Sequence, residues 1–468
     1  MTPQQILKQY FGYDDFRGQQ GTVIDHMLEG RHALVIMPTG MGKSLCFQIP
    51  ALLGDGLTLV ISPLIALMKD QVDGLVARGI DATFINSSLN RKEREKRYAA
   101  VKARKYRLLY VTPERFRKNE FVEIISHRKI GLLAVDEAHC ISQWGHDYRP
   151  DYTRLKEFRE LLGNPTTIAL TATATPDVQK DIVHQLGLAQ DEMALYHEGI
   201  NRPNLQLEVI DVMGETEKLD HIIRISEKHH QNGIVYFCLI KTLTMFSDLL
   251  LKANIPHLCY HGSLETRERK AIQNAFMVGK DILVLATNAF GMGIDKENIR
   301  FIIHADLPGS MESYYQEIGR GGRDGLDATC ALLYDQNDLL TQMEFIKWSN
   351  PDVDFYARVY QMLKGDSEMI NHQGMDWFKE KLHHRNRHDF RLDTVLAMFD
   401  RYDIIEGSFV GRDLHLTGPL PDPLQDIEAV AKKLENQQKK LLALVHYTKC
   451  QGDRKAFIHD YFGLPLPD

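Results

Sequence analysis

Met37-Pro38-Thr39-Gly40-Met41-Gly42-Lys43-Ser44 is the stretch that decides the fold. The apolar run His32 to Ile36 before it reads as a buried strand, and Leu45-Cys46-Phe47-Gln48-Ile49-Pro50 after it opens as a helix. Strand, glycine turn, Gly-Lys-Ser, helix is the arrangement of a triphosphate-binding loop. Thr39, Gly40 and Gly42 make the turn, and the glycines let backbone N–H groups close around phosphate oxygens. The helix N-terminus adds positive potential at the same place. Lys43 is placed to reach the β- and γ-phosphates, and the Ser44 hydroxyl to hold Mg²⁺. Where the general pattern has a glycine, this chain has Met37.

Outward from the loop, apolar strand-like runs alternate with amphipathic helical stretches to about residue 340: Leu57 to Ile61, Leu108 to Val111, Leu132 to Val135, Thr167 to Leu170, Ile234 to Phe237, Ile282 to Ala286 and Phe301 to His304. That is the rhythm of open parallel sheets covered by helices. It breaks near Gly199 to Asn204 and restarts, which predicts two α/β domains, 1–199 and 200–342. A second site follows the run Leu132 to Val135, where a strand delivers Asp136 and Glu137 at its C-terminal end, the ligand-binding edge of such sheets. Asp136 suits Mg²⁺, Glu137 suits orienting and deprotonating a water, and His139 suits relaying state to the neighbouring domain.

Hydrophobic residues make up 44% and charged residues 25% of the 468, ordinary for a globular protein. No apolar run approaches the ~20 residues of a membrane span, and Met1 to Gly12 has no signal-peptide pattern. A cytoplasmic, monomeric protein without membrane contact is expected. Six cysteines are scattered singly, with neither metal nor disulfide spacing. A net charge of −7 means that any nucleic-acid surface must be local.

The loop and acids are accompanied by Gly12 to Gln20, Ser62 to Val72, Asp136 to Pro150, Thr171-Ala172-Thr173, Thr287 to Lys296 and Ser313 to Gly325, in that order. With these motifs, residues 1 to 340 resemble the RecQ family of superfamily 2 DNA helicases, and Asp136 to Pro150 carries the likeness most specifically. The resemblance implies two RecA-like parallel-sheet domains in tandem, an ATP and Mg²⁺ requirement, 3′→5′ translocation on single-stranded DNA and unwinding of forked duplex in repair or recombination. It implies that Gln20 reads the adenine edge with Tyr13 and Arg17 stacking, although Gly18-Gln19 replace the family's Pro-Gly. Gln316, Arg320 and Arg323 match its arginine motif, with Arg323 as the arginine finger, Arg320 in support and Gly321 in place of the usual alanine. Trp144, His146, Tyr148 and Arg149 form an aromatic and basic loop suited to stacking on bases, and Thr112 and Arg115 fall in a backbone-contacting segment. The basic run Arg91 to Arg107 reads equally as a solvated face or a DNA contact.

The remainder departs from the family, whose members follow with a four-cysteine zinc module and a winged helix. Residues 343–420 read as a mainly helical accessory region, either a winged helix or an ordinary helical domain; Leu392 to Ile405 suggests a helix and Phe409 to Leu416 a hairpin. Residues 421–468 read as a helical hairpin resembling a zinc module that is either degenerate or truncated. Beyond Cys330 only Cys450 remains, and His383, His384 and His388 sit among arginines, so no zinc is expected. Leu441, Leu442, Leu444, Val445, Phe457, Ile458, Tyr461 and Phe462 are the apolar residues expected to hold this end. Two other readings stay open: an RNA helicase, and an ATP-gated DNA-remodelling factor that barely unwinds.

Overall fold

The computed structural model describes residues 1–38, 40–63, 65–142, 152, 154–197, 202–291, 294, 296–383, 389–409 and 411–464. Seven parallel strands form the first sheet: β1 (His32–Ile36), β2 (Leu57–Ile61), β3 (Ala82–Ile85), β4 (Leu108–Val111), β5 (Ile130–Val135), β6 (Thr166–Thr171) and β7 (Met193–His197). Their order is β3-β4-β2-β5-β6-β1-β7. The central strands are mostly apolar because helices cover both faces; all five residues of β2, Thr58 among them, are buried. Six parallel strands form the second sheet: β8 (Leu205–Asp211), β9 (Gly233–Tyr236), β10 (Leu258–Tyr260), β11 (Leu283–Ala286), β12 (Phe301–His304) and β13 (Ala328–Tyr334), ordered β10-β11-β9-β12-β13-β8.

In the first sheet β6 lies between β1 and β5. The phosphate-type loop after β1, the acids after β5 and the Thr171 to Thr173 turn after β6 therefore emerge side by side at one sheet edge. That edge is the C-terminal one, where parallel sheets present backbone and helix N-termini to ligands.

The chain separates into two compact units, Met1–Asp335 with Tyr447–Asp468, and Gln336–His446. Both sheets belong to the first. The second has its own core, with Phe355, Val359, Phe378, Leu392, Val395 and Phe399 buried together. It holds helices Val353–Gly365 and Arg391–Arg401 and the short antiparallel pair Ile405–Glu406 with His415–Leu416. The 22-residue helix Ile427–Thr448 follows. Along it Leu441 and Leu444 are buried, whereas Leu442, expected on the same apolar face, is 52% exposed. A helix of this length places 441, 444 and 445 on one side and turns 442 away by about 100°. Among the described residues no helix is long and apolar enough to cross a membrane.

Candidate active site

β1 ends at Ile36, and the Met37 N–H continues the sheet by donating to Thr171 O at 3.1 Å. The backbone then passes through Gly40 (φ +85°) and Gly42 (φ +74°), left-handed positions where a side chain would be strained. A Cβ on Gly42 would also lie 2.8 Å from Gln20 Nε2. Lys43 is part-buried and donates Nζ to Met37 O at 2.9 Å. Burial lowers its pKa, Glu137 and Asp136 oppose that, and Arg323 adds to it. Beneath the loop runs a polar chain that the sequence did not announce. Gln71 Nε2 donates to Ser44 Oγ at 3.3 Å, Tyr110 donates its hydroxyl to Gln71 Oε1 at 3.0 Å, and Gln48 Nε2 donates to Tyr110 at 3.4 Å. Burial pushes the Tyr110 hydroxyl well up, so it stays a neutral donor. Gln71 lies within the stretch Ser62 to Val72, but an amide on a helix carries no local sign of what it will touch.

Asp136 is 7% exposed and Glu137 follows it in the left-handed region, with φ 49° and ψ 48°. A non-glycine residue there is strained, and such strain gathers at functional positions. Burial, then repulsion from Glu137, raises the Asp136 carboxyl from its ordinary range to about 7, against the pull of Lys43. Glu137 Oε2 is buried and accepts no hydrogen bond, although His139 Nδ1 approaches to 3.3 Å. His139 Nδ1 is also 3.0 Å from Thr171 Oγ1, whose hydroxyl donates to Thr173 O at 3.1 Å. That donation makes Oγ1 the acceptor from His139 and puts the ring proton on Nδ1. His139 thus ties the acids to the Thr171 to Thr173 turn of the same sheet.

Gln20 is 2% exposed, and its amide is engaged at both ends. Nε2 donates to Met41 O at 2.6 Å and to Gly42 O at 3.1 Å, while Oε1 accepts from Arg17 N at 2.9 Å. Tyr13 is 51% exposed, with the Arg17 guanidinium 5.8 Å from its ring centre. From the second sheet, Arg323 reaches across to the loop: a Cβ on Gly40 would lie 3.1 Å from Arg323 Cδ. Arg323 Nη1 donates to Ile294 O at 2.9 Å, and buried Arg320 donates to Gly291 O within its own lobe. Gln316 is half-buried on the helix Met311–Ile318. Thr112 is buried at the end of β4, and Arg115 lies in the 3₁₀ turn Pro113–Arg117. Thr39, Trp144, His146, Tyr148 and Arg149 lie outside the described residues.

The donor set fits a divalent cation held with a triphosphate. Buried Asp136 and half-buried Glu137 put two carboxylates beside one ammonium, and Glu137 disfavours the charge of Asp136. A bound cation would relieve this, with Ser44 and Asp136 as its holders.

A family described as DEAD/DEAH box helicase matches residues 17–182, and one described as helicase conserved C-terminal domain matches residues 215–325. The ATP-dependent DNA helicase RecQ of Bacillus subtilis is 45% identical over 348 residues, 74% of this chain and 58% of that protein. That of Pasteurella multocida is 44% identical over 333 residues, 71% of this chain and 52% of that protein. The probable ATP-dependent DNA helicase RecS of Bacillus subtilis is 39% identical over 368 residues, 78% of this chain and 73% of that protein. The chain therefore spans little more than half the length of the two RecQ relatives. Two solved structures share the fold: the DUF1998 helicase MrfA bound to DNA has a TM-score of 0.59 at 15% identity, over 90% of this chain and 63% of that one. The second, Saccharomyces cerevisiae Dbp5 bound to RNA and ADP BeF3, has a TM-score of 0.58 at 18% identity, over 73% of this chain and 90% of that one.

Proposed function

The chain belongs to the RecQ family of superfamily 2 DNA helicases, and on that premise we propose that it is an ATP-dependent DNA helicase that moves 3′→5′ on single-stranded DNA and unwinds forked duplex. The observation that carries the reading is Arg323. A residue of the second sheet's lobe lies against Gly40 of the first lobe's phosphate-type loop and acts on the charge of Lys43. Hydrolysis at such a site depends on how the two lobes meet, and that dependence turns nucleotide turnover into motion.

The residues divide the work. Gly40, Gly42 and Lys43 hold the triphosphate, with Lys43 leaving the Met37 carbonyl for phosphate oxygens. Ser44 and Asp136 hold Mg²⁺, which when bound neutralises phosphate charge. Glu137 Oε2, close to Lys43 and without a hydrogen bond, takes the proton of the attacking water. His139 fixes the Glu137 turn through Thr171. Arg323 stabilises charge on the γ-phosphate, with Arg320 and Gln316 in support. Gln20, with Tyr13 and Arg17, takes the adenine end. Trp144, His146, Tyr148 and Arg149, with Thr112 and Arg115, make the DNA contacts.

The test is strand separation by this chain on forked DNA and on the matching RNA, with 3′ and 5′ tails compared. ATP-dependent separation of 3′-tailed DNA is expected. DNA-stimulated hydrolysis without separation, or preference for RNA, would replace this reading.

A further inference from the structure

Arg323 stands at the end of a glycine-rich turn, Gly319 to Arg323, that has little stiffness of its own. The structure supplies the stiffness from outside. Arg202 Nη1 donates to Gly319 O at 3.3 Å, and Nη2 donates to Gly321 O at 2.6 Å and to Gly322 O at 3.0 Å. Asn204 Nδ2 donates to Gly322 O at 2.8 Å and to Leu326 O at 2.8 Å. Every one of these acceptors is main chain, so the clamp sets backbone position. Gly322 has φ +51°, and a Cβ there would lie 2.4 Å from Asn204 Nδ2, so backbone and clamp are in direct apposition. The clamp is itself seated by the chain's last described helix, Arg454–Tyr461, whose Lys455 Nζ donates to Pro203 O at 2.9 Å. Residues on either side of that helix touch the helix Met311–Ile318 that leads into the turn: the hydroxyls of Tyr447 and Tyr314 are 3.2 Å apart, and the rings of Phe462 and Tyr315 are 5.4 Å apart.

We infer that Arg202 is a positioning residue for ATP hydrolysis, its guanidinium holding the Gly319 to Gly322 backbone so that Arg323 meets the phosphate loop. Asn204 shares the task and Lys455 seats the pair. The inference rests on the reading of Arg323 as the residue that acts on the γ-phosphate. A planar fork of fixed donors suits several carbonyls on one turn, and lysine's single ammonium satisfies fewer of them.

The experiment is steady-state ATP hydrolysis by the full chain saturated with single-stranded DNA, for Arg202→Ala, Arg202→Lys, Arg323→Ala and the double variant Arg202→Ala with Arg323→Ala. Misplacing a catalytic group by about 1 Å can cost on the order of 100-fold, so Arg202→Ala is expected to lower kcat by roughly 10- to 100-fold. KM for ATP should change by no more than about threefold, because the loop that binds the triphosphate is untouched. Arg202→Lys should recover part of the loss. In the Arg323→Ala background the Arg202 change should cost almost nothing further, since residues acting as one unit are not additive. Equal losses in both backgrounds, or an unchanged kcat in Arg202→Ala, would overturn the inference. If Arg323→Ala alone leaves turnover intact, the reading of Arg323 is what fails, and the inference falls with it. Should Arg202→Ala not fold, Asn204→Ala removes two bonds to the same turn and must show the same kcat loss and the same non-additivity.

Discussion

Glu137 is held in a strained backbone conformation with one buried oxygen accepting no hydrogen bond, next to a buried acid. Glu137→Gln is expected to lower ATP hydrolysis by on the order of 10²–10⁴-fold, the usual worth of a positioned base. ATP binding should persist, because Lys43 and the glycine turn are unchanged. Nucleotide titration beside a turnover assay checks both halves, and near-normal turnover removes Glu137 from the mechanism. Its neighbour Asp136 gives a prediction about stability. Burial and Glu137 raise its folded pKa to about 7, above its unfolded value. The neutral acid is therefore the form the fold prefers: its contribution is full below the unfolded pKa of about 4 and is lost as pH rises through about 7. Asp136→Asn stays neutral and escapes that loss. Without nucleotide or Mg²⁺, the variant should melt above the parent at pH 8, by a margin that shrinks toward pH 5. A margin that does not vary with pH would show that Asp136 is not held protonated. Its ATP hydrolysis should fall at every pH.

At the scale of elements, the loop, the acids and the threonine turn act together because β1, β6 and β5 are neighbours in the sheet. The His139–Thr171 bond is the cross-link between two of these strand ends. Thr171→Val keeps the volume but removes the hydroxyl that accepts from His139 and bonds the Thr173 backbone, each lost bond worth about 0.5–1.5 kcal/mol. ATP affinity should hold while turnover and unwinding fall; full unwinding by the variant would show that the cross-link does not carry the coupling. Much of this was legible in the sequence. The central strands read as nearly continuous apolar runs, broken only by threonines and a glycine, because both of their faces are covered, and Gly40, Gly42, Lys43, Asp136 and Glu137 announce themselves through spacing next to such runs. The edge strands were harder. β8 alternates, with Gln206 and Glu208 less buried than Leu205, and β10 is three residues long. Least legible were Gln48, Gln71, Tyr110, Arg202 and Asn204. Their roles come from main-chain and side-chain partners that are distant in sequence, and an amide or a guanidinium looks the same in a motif as on a surface.

At the scale of the molecule, the first unit is discontinuous: the chain leaves it after Asp335 and returns at Tyr447. Tyr447 is wholly buried, with Phe457 edge-on at 5.6 Å and Arg454 donating to its carbonyl at 2.7 Å. Emptying that site should cost about 3–5 kcal/mol, as for other large aromatics cut to alanine. Tyr447→Ala is expected to lower the melting temperature of the first unit clearly, and Tyr447→Phe, which loses only the hydroxyl contact, much less. Equal, small effects from both would mean that the returning segment is loosely held.

The discontinuity also sets an order of events during synthesis. Both sheets are complete once residue 335 has been made, yet the partners of Tyr314, Tyr315 and Pro203 arrive only after roughly 110 more residues. At about 5–20 residues per second that is a delay of roughly 5–20 seconds. Through that interval a nascent chain already has its phosphate loop and acids, while the aromatic face of the helix before Arg323 waits uncovered. The site matures from the C-terminal side, and a ribosome stalled within residues 336–446 would present a lobe pair that lacks its last support and exposes a patch for chaperones to find.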